Sequence, residues 1–351
     1  MPSGYIFVSP AASDKLSCNM TPTIWRAFLV LCLALLLTQC SGMTSEGFLS
    51  VGTAPPGGAF FVVGGAISEV LTEHGEVHGW KVTAEATMGS QENIRRLVSG
   101  ELDLALSNSA ITYYAVRGEG EWDRPHPVQS VMTLAPNVAL FVTPVSSGIR
   151  TIADLSGRRV LIGPAGAGFE YFVRPILEAH GVAFEDLSVL YGTQAAAVDM
   201  LSDGTAAAAF LGGAVPTASI TQASASQGIH FIPFDEEVRP KLIEQYPFFR
   251  AAVIPAGTYR GQTEVYEGLD VGSMHLIAAE DADEEMIYQV TQLLYENREG
   301  VQARHPAGRS INPDNVVRST GTEFHPGAIR FYREIGIWPD SEDPNQAVSE
   351  D

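Results

Sequence analysis

Only three of the 351 residues are cysteine, and Cys18, Cys32 and Cys40 all lie in the first forty positions. A chain cleaved at that point forms no internal disulfide, even in an oxidising compartment, and thiol nucleophiles, redox pairs and cysteine–metal sites are excluded with it. Lysine is as scarce, with Lys15, Lys81 and Lys241 the whole complement, and 21 Lys and Arg stand against 41 Asp and Glu for a net charge of -20. No basic run exceeds two neighbours, so nucleic-acid phosphates have no face to bind. An anionic ligand has to be held by local donors against an unfavourable overall field, which favours backbone N–H groups and a few arginines. G-x-S-x-G, H-E-x-x-H, C-x-x-C and Gly-Lys-Ser/Thr patterns are all missing, so the chain is expected to be no enzyme and to need no cofactor or metal. His74 and His78 stand near Glu73 and Glu76, but Gly75 and Gly79 interrupt any helix there and a solvated loop is the better reading. Asp281, Asp283 and Glu285 lack the glycine turn of a calcium loop.

What is present begins with a leader. Arg26 precedes an 11-residue apolar run, Ala27 to Leu37, which matches the core of a secretory signal and falls short of the roughly 20 residues that cross a bilayer. The run ends Leu37-Thr-Gln-Cys40, similar to the bacterial lipobox, in which the cysteine is acylated; Gln39 departs from the small residue usual there, so a plain cleaved signal stays open. Residues 1–19 lack signal character, and Met20 makes a more ordinary start. The reading is export with attachment to the membrane only through a lipid on Cys40.

Strand and helix patterns then alternate, as in a mostly parallel sheet covered by helices. We divide the chain into a leader at 1–40, a tether at 41–47, a first lobe at 48–143 plus 252–280, a second lobe at 144–251, C-terminal helices at 281–336 and an acidic tail at 337–351. The hinge crossings are expected near Val142–Thr143 and Ala252–Ile254. The length suffices for two ordinary domains with cores.

A glycine-rich turn appears twice, each time between a short apolar strand and a helix. Leu49 to Thr53 leads into Ala-Pro-Pro-Gly57-Gly58, and about 110 residues on, Arg159 to Gly163 leads into Pro-Ala-Gly166-Ala-Gly168. Glycine lets a ligand approach the backbone and a helix N-terminus favours an anion, although each turn alone is also an ordinary tight connection. Ser90 opens a further helix, as cap or as donor, and Ser107-Asn108-Ser109 ends a strand where open α/β sheets place ligands. Arg174, about two turns into the helix after the second glycine turn, is a candidate carboxylate partner, with Arg95 and Arg96 as others; most arginines merely cover a helix surface.

Several dispersed segments carry a resemblance in the same order: Gly52-Thr-Ala-Pro-Pro-Gly-Gly-Ala-Phe-Phe61, Met88-Gly-Ser-Gln-Glu-Asn93, Ser99 to Ala105, Ile152 to Val160 leading into Gly163 to Gly168, Gly213 to Thr217, Tyr246 to Phe249 and Ile254 to Gln262. From about Leu49 to Glu334 the chain resembles the TAXI family, the solute-binding proteins of one branch of tripartite ATP-independent periplasmic (TRAP) transporters. The resemblance implies an α/β, two-lobed periplasmic binding protein type II fold with the ligand cleft between lobes. It also implies an organic anion, mostly a dicarboxylate or glutamate-like acid, delivered to integral-membrane TRAP permease subunits by a monomeric receptor. Carried over by position, the pocket takes in Gly58, Ala59, Phe60, Ser90, Asn93, Ser107, Asn108, Ala165, Gly166, Ala167, Gly168 and Phe169, with Gly213 and Ala214 opposite; the first turn adds Gly57. Similar proteins usually offer hydroxyls where Ala167 and Phe169 stand and often Tyr at Phe60, so this pocket is expected to be drier and to admit a carboxylate with an apolar or aromatic body. A receptor for an ABC importer or a sensor is the alternative on the same fold.

Overall fold

The computed structural model describes residues 47–339. Their first lobe is built on β1 (Gly47–Gly52), α1 (Ala59–His74), β2 (Trp80–Glu85), α2 (Ser90–Val98), β3 (Leu104–Asn108), α3 (Ser109–Arg117) and β4 (Val128–Thr133). The second runs through β5 (Val138–Pro144), β6 (Arg159–Gly163), α4 (Glu170–Ala179), β7 (Ser188–Tyr191), α5 (Gln194–Ser202), β8 (Ala208–Gly213), α6 (Ala218–Ser226), β9 (Ile229–Ile232), α7 (Val238–Gln245), β10 (Phe249–Ile254) and β11 (Tyr266–Val271). The chain then returns to the first lobe with β12 (Met274–Ala279), α8 (Glu284–Glu296), α9 (Arg298–Arg304), the short α10 (Pro313–Val316) and α11 (Pro326–Glu334). No described helix is long and apolar enough to cross a membrane.

Each lobe has one mixed sheet. The first orders its strands β2-β1-β3-β12-β4, with β1 parallel to both neighbours and β12 antiparallel between β3 and β4. The second runs β10-β11-β5-β8-β6-β7, with β9 also paired to β5. The sheets correct the expected lobe boundaries. Strand β5 pairs with β8, and β10 and β11 join it, so 138–143 and 252–271 belong to the second lobe. The two crossings are the connections 134–137 and 272–273, not Val142–Thr143 and Ala252–Ile254. A continuous extended pattern over 128–143 does not reveal where one strand ends, because the turn at Ala135-Pro136-Asn137 sits inside an apolar run.

Local patterns explain the elements that position the cleft. Helix α1 buries Val63, Ile67, Val70 and Leu71, a stripe of i, i+4, i+7 and i+8 spacing that faces the core. A Cβ at Gly64 would lie 2.2 Å from Thr53 Cγ2, so this glycine lets the helix lie close on the end of β1. In the second lobe Phe172, Phe210 and Phe141 pack edge and tilt, with ring centroids 5.6 Å and 5.1 Å apart. All three are essentially inaccessible, and each contributes roughly 1.5–3 kcal/mol by burial. One apolar cluster joins α1, α8, α9 and α11 over one face of the first sheet. The other continues from the second lobe through Phe172 and Val173 to Ile94 and Ile111 of α2 and α3, so the lobes share buried surface on that side.

Candidate functional site: the cleft between the lobes

Helices α1, α2, α3, α4 and α5 all begin at the C-terminal ends of strands, and a cleft opens among their first residues. Its walls include Pro55, Pro56, Gly58, Ala59 and Phe60 at α1, Met88, Gly89 and Ser90 at α2, and Asn108 and Ile111 at α3. From the second lobe come Pro164, Ala167, Phe169 and Phe172 at α4 and Thr193 and Gln194 at α5, with Asn137 from the hinge connection. The free space is about 70 Å³. A single water needs roughly 10–15 Å³ by this measure, so the cleft holds several waters or one compact solute.

No wall residue carries a charge. What the cleft offers an anion is dipoles. In helices α1, α2 and α4 the cap residues Gly58, Gly89 and Phe169 place no side chain on the N-terminal amides, although Glu92 of α2 turns back to accept Met88 N–H at 2.8 Å and the Tyr171 and Phe172 N–H groups of α4 are taken by Gly168 O and Phe169 O. The first backbone N–H groups of a helix have no partner within it, and the helix dipole places partial positive charge there. The other two starts are closed: Asn108 accepts from Ala110 N–H at 2.8 Å and Thr193 from Ala196 N–H at 3.2 Å. Three side chains keep donors for a solute. Ser90 Oγ accepts from Asn108 N–H at 3.0 Å and Thr193 Oγ1 from its helix, and neither hydroxyl donates to a described group. Asn137 uses its backbone N–H on Asp270 Oδ1 at 2.9 Å, and its side-chain amide has no partner among the described residues.

Residues marked from sequence divide between the wall and its support. Gly58, Ala59, Phe60, Ser90, Asn108, Ala167 and Phe169 line the cleft. Asn93 and Ser107 are fully buried beneath it. Asn93 Nδ2 donates to Thr53 O at 2.7 Å and Leu106 O at 2.8 Å, tying the ends of β1 and β3. Ser107 Oγ donates to Asn108 O and lies 2.8 Å from Thr112 Oγ1, which in turn lies 2.8 Å from His275 Nε2. Burial lowers the His275 pKa to about 3, so this network is neutral.

Of the glycines assigned to ligand contact, Gly57 and Gly168 instead bring the lobes together, as does Gly89, which went unmarked in the sequence. A Cβ at Gly168 would stand 2.9 Å from Ile111 Cδ1, one at Gly89 3.4 Å from Ala167 Cβ, and one at Gly57 3.6 Å from Ala195 Cβ. Gly168 and Gly89 hold φ of +90° and +118°, which side-chain-bearing residues rarely adopt. Gly213 similarly faces Ala59 at 3.5 Å, and Ala214 is buried in the core of the first lobe. Neither Gly213 nor Ala214 is in the cleft wall, and the same holds for Ala165 and Gly166.

Arg174 does not reach the cleft. It pairs with Glu185 at 2.5 Å and covers the Phe184 ring at 4.4 Å on the surface of the second lobe. Arg174 lies about one turn into α4, and its side chain points away from the N-terminal wall. Arg95 lies over Trp122, and Arg96 binds Glu85 at 2.6 Å. Among the described residues no group of three or more His, Cys, Asp or Glu converges as a metal site, and His78 rests against the Trp80 ring. Cys40 and residues 41–46 and 340–351 lie outside the described residues; Gly47 opens β1 and Ile337 and Trp338 pack on the first-lobe core, so these do not belong to the expected tether at 41–47 and tail at 337–351.

Thr193, Gln194 and Asn137 went unmarked in the sequence. Thr193 had a usable signal, since it caps a helix that follows a strand, the same arrangement that marked the two glycine turns. Gln194 is held by Gly212 O and Ser219 Oγ, which only tertiary contacts reveal.

Residues 51–336 match the NMT1-like family. Among solved structures the chain is similar to a protein of Bordetella bronchiseptica at 14% identity, covering 87% of this chain and 93% of that one with a TM-score of 0.51. It is likewise similar to PhnD1 of Prochlorococcus marinus in complex with methylphosphonate, at 11% identity over 76% and 91% of the two chains, TM-score 0.51. The alkanesulfonate-binding protein SsuA of Xanthomonas axonopodis pv. citri bound to MOPS follows at 16% identity over 83% and 80%, TM-score 0.48. The fold is the two-lobed α/β fold of periplasmic binding proteins.

Proposed function

The chain belongs to the NMT1-like family, and from that premise together with its cleft we propose that it is an extracytoplasmic solute-binding receptor that captures a small organic anion. The observation that carries this reading is the set of uncapped helix N-termini, two from the first lobe and one from the second, that meet across one uncharged cleft. A carboxylate fits such a site, because backbone amides and the Ser90, Thr193 and Asn137 donors replace its water without a counter-charge. Phe60, Phe169 and Phe172 supply apolar walls for the rest of the molecule, and the limited free space favours a compact body over a bulky one. Ligand favours the closed arrangement because only then do both lobes contribute donors.

The leader supports export and a lipid anchor at Cys40, and the ordered motif resemblance supports delivery to a TRAP permease. The similarity in fold to PhnD1, a protein solved with methylphosphonate, supports the alternative of an ABC importer and an oxyanion other than carboxylate. The permease genes beside this one discriminate between the two.

A thermal-shift screen of the protein against dicarboxylates, glutamate-like amino acids, aromatic acids and alkylphosphonates tests the ligand class. A ligand at 100-fold its dissociation constant adds about 2.7 kcal/mol of stability. Stabilisation by neutral solutes alone, with every anion inert, would overturn the reading.

A further inference from the structure

Behind the hinge, on the far side of Asn137 from the cleft, lies a second and larger cavity of about 440 Å³. Arg250 and Arg318 line it, together with Asp270, Ser310 and Asn315. The two arginines belong to different lobes. Arg250 sits on β10, opposite Asp270 of β11, whereas Arg318 follows α10 and is held to the first lobe where its carbonyl accepts from Thr133 Oγ1 at 2.8 Å.

Their two charges have one nearby acid between them, Asp270, which feels both guanidinium groups. Neither guanidinium has a described carboxylate within 4.0 Å, although the chain as a whole carries an excess of acids. Arg318 spends Nε on Asn315 Oδ1 at 3.1 Å and Nη2 on Ser273 Oγ at 2.6 Å, which leaves Nη1. The Arg250 side chain makes no described hydrogen bond. Asp270, the one acid in the wall, already accepts from Asn137 N–H at 2.9 Å and Ser273 Oγ at 2.6 Å. Burial chiefly, and then the neighbouring Arg250 charge, pull the Arg318 pKa down to about 10 against the opposing pull of Asp270. The arginine fork matches oxyanions bidentately, so spare donors from two such groups define a ligand.

We propose that this cavity is a second binding site, for a small multivalent oxyanion of the phosphate or sulfate class, in which Arg250 of one lobe and Arg318 of the other hold the same ion. It differs from the cleft in every donor, and occupancy ties the lobes together behind the hinge.

Inorganic phosphate is the probe. Titrated into the protein at ionic strength held constant with sodium chloride, it should raise the thermal midpoint saturably, by at least about 2 °C. Arg250→Gln, which removes a side chain with no described hydrogen bond, should abolish that rise, and Gly58→Val, which fills the cleft, should leave it intact. If Arg250→Gln does not fold, Arg250→Lys serves, keeping the charge without the fork, and should require at least about fivefold more phosphate for half the effect. An Arg250 variant that responds like the unmodified protein overturns the site. A rise lost in Gly58→Val but kept in Arg250→Gln also overturns it; that pattern seats phosphate in the cleft and leaves the receptor reading standing. No saturable rise in the unmodified protein overturns the site without touching the cleft.

Discussion

The cleft and the cavity behind the hinge lie on either side of Asn137, and they answer the same electrostatic problem in opposite ways. The cleft has no charged wall and relies on helix N-termini, while the rear cavity concentrates two arginines around one buried carboxyl. Amide dipoles are fixed by the fold and need no desolvated counter-ion, so a solute can be taken up and released without breaking an ion pair. Guanidinium groups bind through full charge, and burial works against that charge, as at Arg318, whose pKa it lowers. In a protein of net charge -20 the first design suits a small metabolite that must leave again, and the second suits an ion that stays.

The sharpest way to break this contrast is to fill the cleft. Gly58 has φ -97° and ψ 159°, ordinary extended values, and a Cβ there would meet nothing nearer than 3.9 Å, so Gly58→Val should fold normally. Its side chain would project among the N-terminal donors, and calorimetry with the ligand found by screening should show at least about a 100-fold loss of affinity, or about 2.7 kcal/mol. Gly168→Ala probes the lobe contact instead. Positive φ and a 2.9 Å clash with Ile111 should together cost about 1–3 kcal/mol in chemical denaturation.

The pH response separates the two regions from the scaffold around them. His275 titrates near pH 3 when folded and near 6.5 when unfolded, so the unfolded chain binds more protons between those values. Stability should therefore be full above about pH 6.5 and fall by about 1.4 kcal/mol per unit as pH drops toward 3, a slope that His275→Gln should reduce. Thr193→Ala removes one cap and one cleft hydroxyl and should cost about 1 kcal/mol in stability. The smallest effect sharpens the contrast most. With no titratable wall residue, cleft affinity for a fully ionised acid should change less than about twofold between about pH 5.5 and about pH 8, as followed by calorimetry.

Much of this molecule is legible along the chain. The alternation of strand and helix patterns reappears in both lobes, because each element presents one apolar face to a sheet or a helix layer. The strand–turn–helix repeats mark Gly58 to Phe60 together with Ala167 and Phe169, all of which line the cleft. Burial and direction were harder. Asn93 and Ser107 have the chemistry of ligand donors, yet each is consumed by backbone groups of neighbouring strands. Arg174 has the right charge on the right helix but points at Glu185. The rear cavity left no local signature, since Arg250 and Arg318 stand in unrelated segments.

The order of residues alone therefore determined the alternation that builds two α/β lobes and the turns at which helices begin, because these depend on composition and on contacts a few positions apart. Tertiary structure decided where the lobes divide, which of the polar side chains remain free, and which arginines face one another. Those outcomes depend on strand pairing across more than a hundred residues, as when Asp270 meets Asn137, and no local pattern encodes the partner a group will find after folding.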